Sequence, residues 1–289
     1  CMKFSKRRIQ HEQKTSMAME TNIEIDGKTR LFAIVADPIE QVQTPQLLNA
    51  LMREREFNGV LVPMHVSATD LAGWFESLRH IQNFGGFIAT VPHKQTIAKL
   101  CDEVSEAAGL IGAVNVVRRE PDGRMVGEIL DGKGFVRGLH TNGIFPEGMR
   151  VLLLGAGGAA NAIAFALAEE KVAFLGLYNR SVDKARDLIA RLHQGHAGLK
   201  AEAVDNNSTG YDLIINATSL GMSASDPLPV DTSELVEGQV VAEIIMKPAM
   251  TALLSQAQSK GCKIHFGLPM LRSQVALMAN FMGIPNSGS

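Results

Sequence analysis

The chain has 289 residues, 46% of them apolar and 20% charged, with a formal net charge of −2; that is enough for two ordinary globular domains and carries no excess charge to attract nucleic acid or another polyanion. Aromatic residues make up only 5%, too few for a base-stacking surface, and no apolar run approaches membrane-spanning length. The three cysteines, Cys1, Cys101 and Cys262, fit neither a metal-ligand spacing nor a disulfide framework, which points to a reducing, cytoplasmic setting.

Residues 1–20 are polar and basic and are expected to form a mobile tail with no function assigned to it. From residue 31 onward, short apolar runs alternate with helical patterns. The stretch 31–37 (LFAIVAD) reads as a strand, and Thr44-Pro45 as a helix start, with Thr44 as N-cap and Pro45 at the first helical position. Strands are expected at 59–66 and 85–91, the latter stopped by Pro92, with helices at 69–81 and 96–107. Two short strands, 113–118 and 124–128, flank the turn Pro121-Asp122-Gly123.

The stretch 151–170, VLLLGAGGAANAIAFALAEE, carries the most information. An apolar strand runs into Gly155, Ala156, Gly157, Gly158, Ala159 and then an alanine-rich helix. Gly155 permits the turn, Gly157 leaves the backbone open to a pyrophosphate, and small Ala160 lets helix and strand approach. The unpaired N–H groups at the helix start would face the phosphates. Two other readings stay open: a tight turn with no ligand, or a methyltransferase-type nucleotide site. Further strands are expected at 172–178, 212–216, 240–244 and 263–266, with helices at 182–193, after Pro248, and at 270–282. This alternation implies an α/β fold with mainly parallel sheets. Two domains are expected to meet near residue 131, with a cleft there and the final helix returning to the first domain.

Cofactor selectivity is read at the end of the strand after the glycine turn. An NAD site usually places a carboxylate there for the ribose 2′-hydroxyl; this chain has Asn179, Arg180, Ser181 and, one turn on, Lys184. Arg180 can stack on adenine and pair with a 2′-phosphate, so the charge argument favours NADP over NAD.

Several residues taken singly have two readings each. Lys94, at the mouth of a strand, is either a surface lysine or a catalytic ammonium. Asp131, in Leu130-Asp131-Gly132-Lys133-Gly134, is either a turn or N-cap aspartate or the partner of Lys94. His93 reads as structural or solvent-facing. Asn115, Thr90 and Gln274 are unremarkable in isolation.

In combination these pieces resemble the shikimate dehydrogenase family, with its quinate branch. The resemblance covers most of 31–285 and rests on an ordered set: Ala36-Asp37-Pro38-Ile39 with Thr44-Pro45; Thr90-Val91-Pro92-His93-Lys94; Gly112-Ala113-Val114-Asn115; Asp131-Gly132; the glycine turn; Asn179-Arg180-Ser181; Asn216-Ala217-Thr218-Ser219-Leu220-Gly221-Met222; Lys247-Pro248 with Thr251; and Gly267-Leu268-Pro269-Met270-Leu271 with Gln274. It implies a substrate domain (21–130 plus 265–289) and a doubly wound Rossmann domain (131–264) that binds NADP, or alternatively NAD. It implies that Lys94 and Asp131 form the catalytic pair, that Asn115 and Gln274 hold ring hydroxyls, and that Thr44 and Thr90 lie on the substrate side. Asn216, Ala217, Thr218 and Met270 would lie by the nicotinamide. The implied activity is hydride transfer to and from a cyclic hydroxy acid such as shikimate in aromatic amino-acid biosynthesis, by a monomer or homodimer.

The chain departs from the family pattern where a substrate carboxylate is held. Of two serines in the N-terminal motif, the positions here are Val42 and Thr44; a tyrosine becomes Met246; an asparagine becomes Ile88; and an Asn-Thr pair becomes Ile129-Leu130. Each hydrogen bond lost to a charged group costs about 1.5–3 kcal/mol. The expected outcome is a shifted substrate preference; a second outcome is poor turnover of shikimate or quinate, with Gln41, Gln43 and Lys247 holding the carboxylate, and the alternative of another class is a non-catalytic nucleotide sensor with a decayed substrate pocket.

Overall fold

The computed structural model describes residues 25–286, so the expected tail at 1–20 lies outside the described residues. Two six-stranded sheets follow one another along the chain. The first contains β1 (Arg30–Ala36), β2 (Gly59–His65), β3 (Phe84–Ala89), β4 (Glu103–Val104), β5 (Val116–Arg119) and β6 (Met125–Glu128), in the order β2-β1-β3-β5-β6-β4. β1 runs parallel to β2 and β3, whereas β5 is antiparallel to both β3 and β6. The helices of this half are α1 (Thr44–Glu54), α2 (Leu71–Leu78), α3 (Lys94–Leu100) and α4 (Glu106–Ile111). α5 (Asp131–Thr141) then leads to the second sheet.

The second sheet contains β7 (Arg150–Leu154), β8 (Phe174–Tyr178), β9 (Ala201–Ala203), β10 (Leu213–Asn216), β11 (Val240–Glu243) and β12 (Lys263–His265). It is parallel throughout, in the order β12-β11-β10-β7-β8-β9. Its helices are α6 (Gly158–Glu169), α7 (Val182–Gly195) and α8 (Ala252–Ser259). This is the doubly wound order, with the switch point between β7 and β10. The last helix, α9 (Leu268–Phe281), packs on α5, α1 and β5, so the chain returns to the first half.

Burial follows strand position. β3 and β10 are buried along their whole length, and β7 is buried after its first residue, as expected for central strands covered on both faces. The core of the first sheet centres on Phe87, which meets Trp74 and Phe75 edge-on. That core continues through Phe135 of α5 and Ile163 of α6 to Leu153 of β7, so one hydrophobic body spans both sheets.

Three local expectations are corrected. Thr44 is the first helical residue rather than the N-cap, which is Gln43, and Pro45 is the second rather than the first. The expected helix at 96–107 is two helices, broken where Asp102 to Ser105 pair with the β6 edge, and Ser105 caps α4 by accepting from the Ala108 N–H. The glycines after Asp131 do not form a turn; they lie inside α5, of which Asp131 is the first residue and Leu130, not Asp131, the N-cap. Among the described residues, no helix is long and apolar enough to cross a membrane.

Candidate active site

Asp131 is the first residue of α5 and is buried at 5% exposure. Three side chains from three separate segments converge on it. Lys94, at the start of α3, donates from Nζ to Oδ2 at 2.5 Å. Asn115, just before β5, donates to Oδ1 at 2.9 Å. Gln274, on the returning helix α9, donates to Oδ1 at 2.5 Å. A carboxylate buried in this way is stable only when its oxygens are saturated by donors, and here three hold it in one rotamer. Asn115 is itself locked, because its Oδ1 accepts from the Leu130 N–H at 2.8 Å.

Local structure aims these groups. The Lys94 carbonyl accepts from the Val114 N–H, and the Asn115 carbonyl from the Ala89 N–H, which ties the α3 start and the Asn115 segment to the end of β3. His93 is buried, and its ring Nε2–H donates to the Val66 carbonyl at 2.8 Å, so it serves the structure. α5 approaches its neighbours through glycines. A Cβ on Gly132 would lie 2.0 Å from the Ala162 carbonyl oxygen of α6, and one on Gly134 would lie 2.8 Å from the Gln274 Cβ. The helix that presents Asp131 is thus pressed against both the glycine-turn helix and the Gln274 helix.

A cavity of about 630 Å³ opens over this cluster. Thr44, Thr90, Lys94, Asn115, Asp131 and Gln274 border it on one side. Gly157, Gly158, Ala159, Ala217, Thr218 and Ser219 border it on the other, with Met270 between. The residues proposed for chemistry and for the cofactor therefore share one space, at the switch point of the second sheet.

The glycine turn fits a dinucleotide. Gly155 has φ +112°, and a Cβ there would lie 3.0 Å from the Ala217 carbonyl oxygen, so only glycine brings the β7 and β10 loops this close. At Gly157 and Gly158 a Cβ would meet nothing within 4 Å, so the N-terminus of α6 faces open space. At the end of β8, Asn179 shapes the turn by donating to the Ser181 carbonyl at 2.9 Å, and Arg180, Ser181 and Lys184 are exposed beyond it. These four residues lie outside the 630 Å³ cavity, at the β8 end where an adenosine 2′-phosphate is read.

One expected contact shifts. Asn216 is fully buried and does not border the cavity. Its amide nitrogen donates to the Leu220 carbonyl and to Glu243, and its Oδ1 accepts from the Thr218 N–H and hydroxyl. It builds the turn that turns Ala217 and Thr218 toward the cavity. Sequence reasoning missed Glu243, the fully buried partner of both Asn216 and Thr251 (2.9 Å). Burial pushes its carboxyl up from the ordinary range, and the hydrogen bonds from Asn216 and Thr251 oppose that shift. Its lone acidic character at the end of an apolar strand was the available signal.

Also missed was Arg191 of α7. Its guanidinium donates to Asn161 Oδ1 at 2.5 Å and to the carbonyls of Leu110 and Ile111 at 3.2 and 3.3 Å. Asn161 in turn donates to the carbonyls of Ala156 (3.0 Å) and Gly157 (2.7 Å). The glycine turn is thereby joined to the end of α4, immediately before the segment that carries Asn115. The two cysteines among the described residues are unpaired. Burial pushes the Cys101 thiol up to about 12, and Cys262 is raised in the same way, so neither is a nucleophile at neutral pH.

Comparison with known proteins agrees with this geometry. Residues 34–117 match the shikimate dehydrogenase substrate binding domain, and residues 142–234 match shikimate / quinate 5-dehydrogenase. A shikimate dehydrogenase (NADP(+)) of Alkaliphilus oremlandii is 35% identical over 262 residues, covering 88% of this chain and 91% of its own. Among solved structures, shikimate 5-dehydrogenase from Listeria monocytogenes, in complex with shikimate and NAD, superposes with a TM-score of 0.84 at 28% identity, covering 92% of this chain and 95% of its own. The ligand-free 5-ketofructose reductase of Gluconobacter sp. strain CHM43 does so with a TM-score of 0.83 at 31% identity, covering 91% and 95%. With both family models matched in order and relatives at this identity over nearly the whole chain, the chain belongs to the shikimate dehydrogenase family of nicotinamide-dependent oxidoreductases.

Proposed function

We propose that the protein catalyses the reversible NADP(H)-linked interconversion of a secondary alcohol and its ketone on a polyhydroxylated substrate of the shikimate or quinate kind. The observation that carries this is the Lys94–Asp131 ion pair facing the glycine turn across one cavity. The relatives named for shikimate and for 5-ketofructose support it, since both names denote carbonyl–carbinol chemistry at a hydroxylated carbon. NADPH, when bound, supplies the hydride. In reduction, Lys94 donates a hydrogen bond to the substrate carbonyl oxygen and gives it a proton as alkoxide charge develops; solvent then restores the lysine proton. The balance is ketone plus NADPH plus a proton to alcohol plus NADP⁺, and oxidation is the reverse. Asp131 holds the ammonium in place. Asn115 and Gln274 each donate one amide N–H to Asp131 and keep the other for a neighbouring substrate hydroxyl.

The same reading divides the chain into a substrate half, 21–130 with 265–289, and a cofactor half, 131–264. The intact ion pair is not what a decayed, sensor-only pocket would keep. The test is Lys94→Met, assayed by cofactor absorbance. Turnover should fall about a hundred- to ten-thousandfold, the range for a lost general acid, with NADP affinity unchanged. Near-full turnover by the variant would remove Lys94 from the mechanism.

A further inference from the structure

The part of the cavity beyond the Lys94–Asp131 pair has a lining that bears on substrate charge. Ile34, Val42, Ile88, Leu271 and Met278 all border the cavity, and all five belong to one hydrophobic cluster. They form a continuous apolar wall. Among the described residues bordering the cavity, the cations are Lys94 and Lys247. The charge of Lys94 is already matched by Asp131 at 2.5 Å. Lys247 is exposed in the loop after β11, where water screens it. Gln41, Gln43 and Thr44, the polar residues around Val42 that border the cavity, are uncharged, and Gln41 donates to the Pro38 carbonyl at 2.8 Å.

A carboxylate seated against this wall would lose its hydration and gain no buried counter-charge. An uncharged group there would instead bury apolar surface. We propose that the substrate is a neutral polyhydroxy ketone or alcohol, whose hydroxyls meet Lys94, Asn115 and Gln274 while an uncharged group, not a carboxylate, lies on the Val42–Ile88–Leu271–Met278 wall. This rests on the hydride-transfer reading above and narrows its substrate from hydroxy acids such as shikimate and quinate to their uncharged counterparts.

Two measurements separate the two claims. Binding of shikimate and of its methyl ester, which share one ring and differ in charge, is measured by calorimetry with no cofactor present. Their turnover is then measured with NADP⁺. The ester should bind at least about tenfold tighter, the scale of one unsatisfied charged hydrogen bond, and kcat/KM should follow the same order. Val42→Ser, which restores one donor on the wall, should close the gap by raising affinity for the acid alone. Tighter binding of the acid overturns the proposal. So does a preference for the acid that Lys247→Met abolishes, because that ammonium would then receive a carboxylate. Preferential binding of the ester without turnover of either compound would support the neutral class while defeating the hydride-transfer reading of the site.

Discussion

Asp131 illustrates how much a single side chain depends on its surroundings. In isolation it is an aspartate before glycines; in the folded chain its two oxygens accept from residues 37, 16 and 143 positions away. No local pattern encodes that convergence, and only the ordered set of motifs made it legible. Arg180 is the opposite case. The role proposed for it rests on local position, just beyond the end of β8, where the residue is exposed. Arg180→Asp should therefore raise the KM for NADP about tenfold or more, through loss of a bidentate charge-assisted contact, and leave the KM for NAD nearly unchanged. Paired steady-state assays with the two cofactors check this, and equal changes would exclude the role. Val42 and Ile88 were also legible as departures from a pattern, but that they join Ile34 of β1 and Leu271 and Met278 of α9 in one wall was not, since those elements lie more than 200 residues apart in the chain.

At the scale of elements, strands and most helices were readable because apolar periodicity reports burial directly. α5 was legible only through the N-cap reading of Asp131, because glycine favours turns in isolation and its use here is steric: Gly132 and Gly134 admit the backbone of α6 and the side chain of Gln274. β9, three residues at a sheet edge with little burial, gave no periodic signal either. The contact between α5 and β12 has a measurable consequence. His265 of β12 is buried at 2% exposure, stacks edge-on against Phe135 of α5 at 6.0 Å, and has no partner for its Nε2. Burial, with a smaller contribution from Lys263, depresses its protonation to about 4 from an ordinary 6.5. A depressed histidine binds its proton more readily when unfolded, so its contribution to stability is complete above pH 6.5 and is lost as pH falls toward 4. His265→Phe should flatten the pH dependence of unfolding across that window by up to about 3 kcal/mol. Urea melts of both proteins at several pH values measure it; parallel curves would refute it.

On the scale of the whole molecule, the two sheets are joined by more than a shared core. The path Gly157–Asn161–Arg191–Ile111 connects the cofactor turn to the segment that presents Asn115. Arg191→Ala removes a charged donor from three buried or half-buried acceptors. It should cost roughly 1.5–3 kcal/mol of stability and, by freeing Asn161, raise the Kd for NADP several-fold. Urea melts together with cofactor titration test both, and an unchanged Kd would show that the link is structural only. The position of α9 also has a consequence for biosynthesis. A nascent chain that has emerged through residue 265 possesses every strand of both sheets and the whole glycine turn, yet lacks Gln274 and Met270. Competence for catalysis thus arrives last, in one step, when the final helix docks onto α5. A ribosome-stalled chain ending before that helix would carry the glycine turn but lack the third donor to Asp131, and would leave the apolar face that Leu271, Val275 and Met278 cover open.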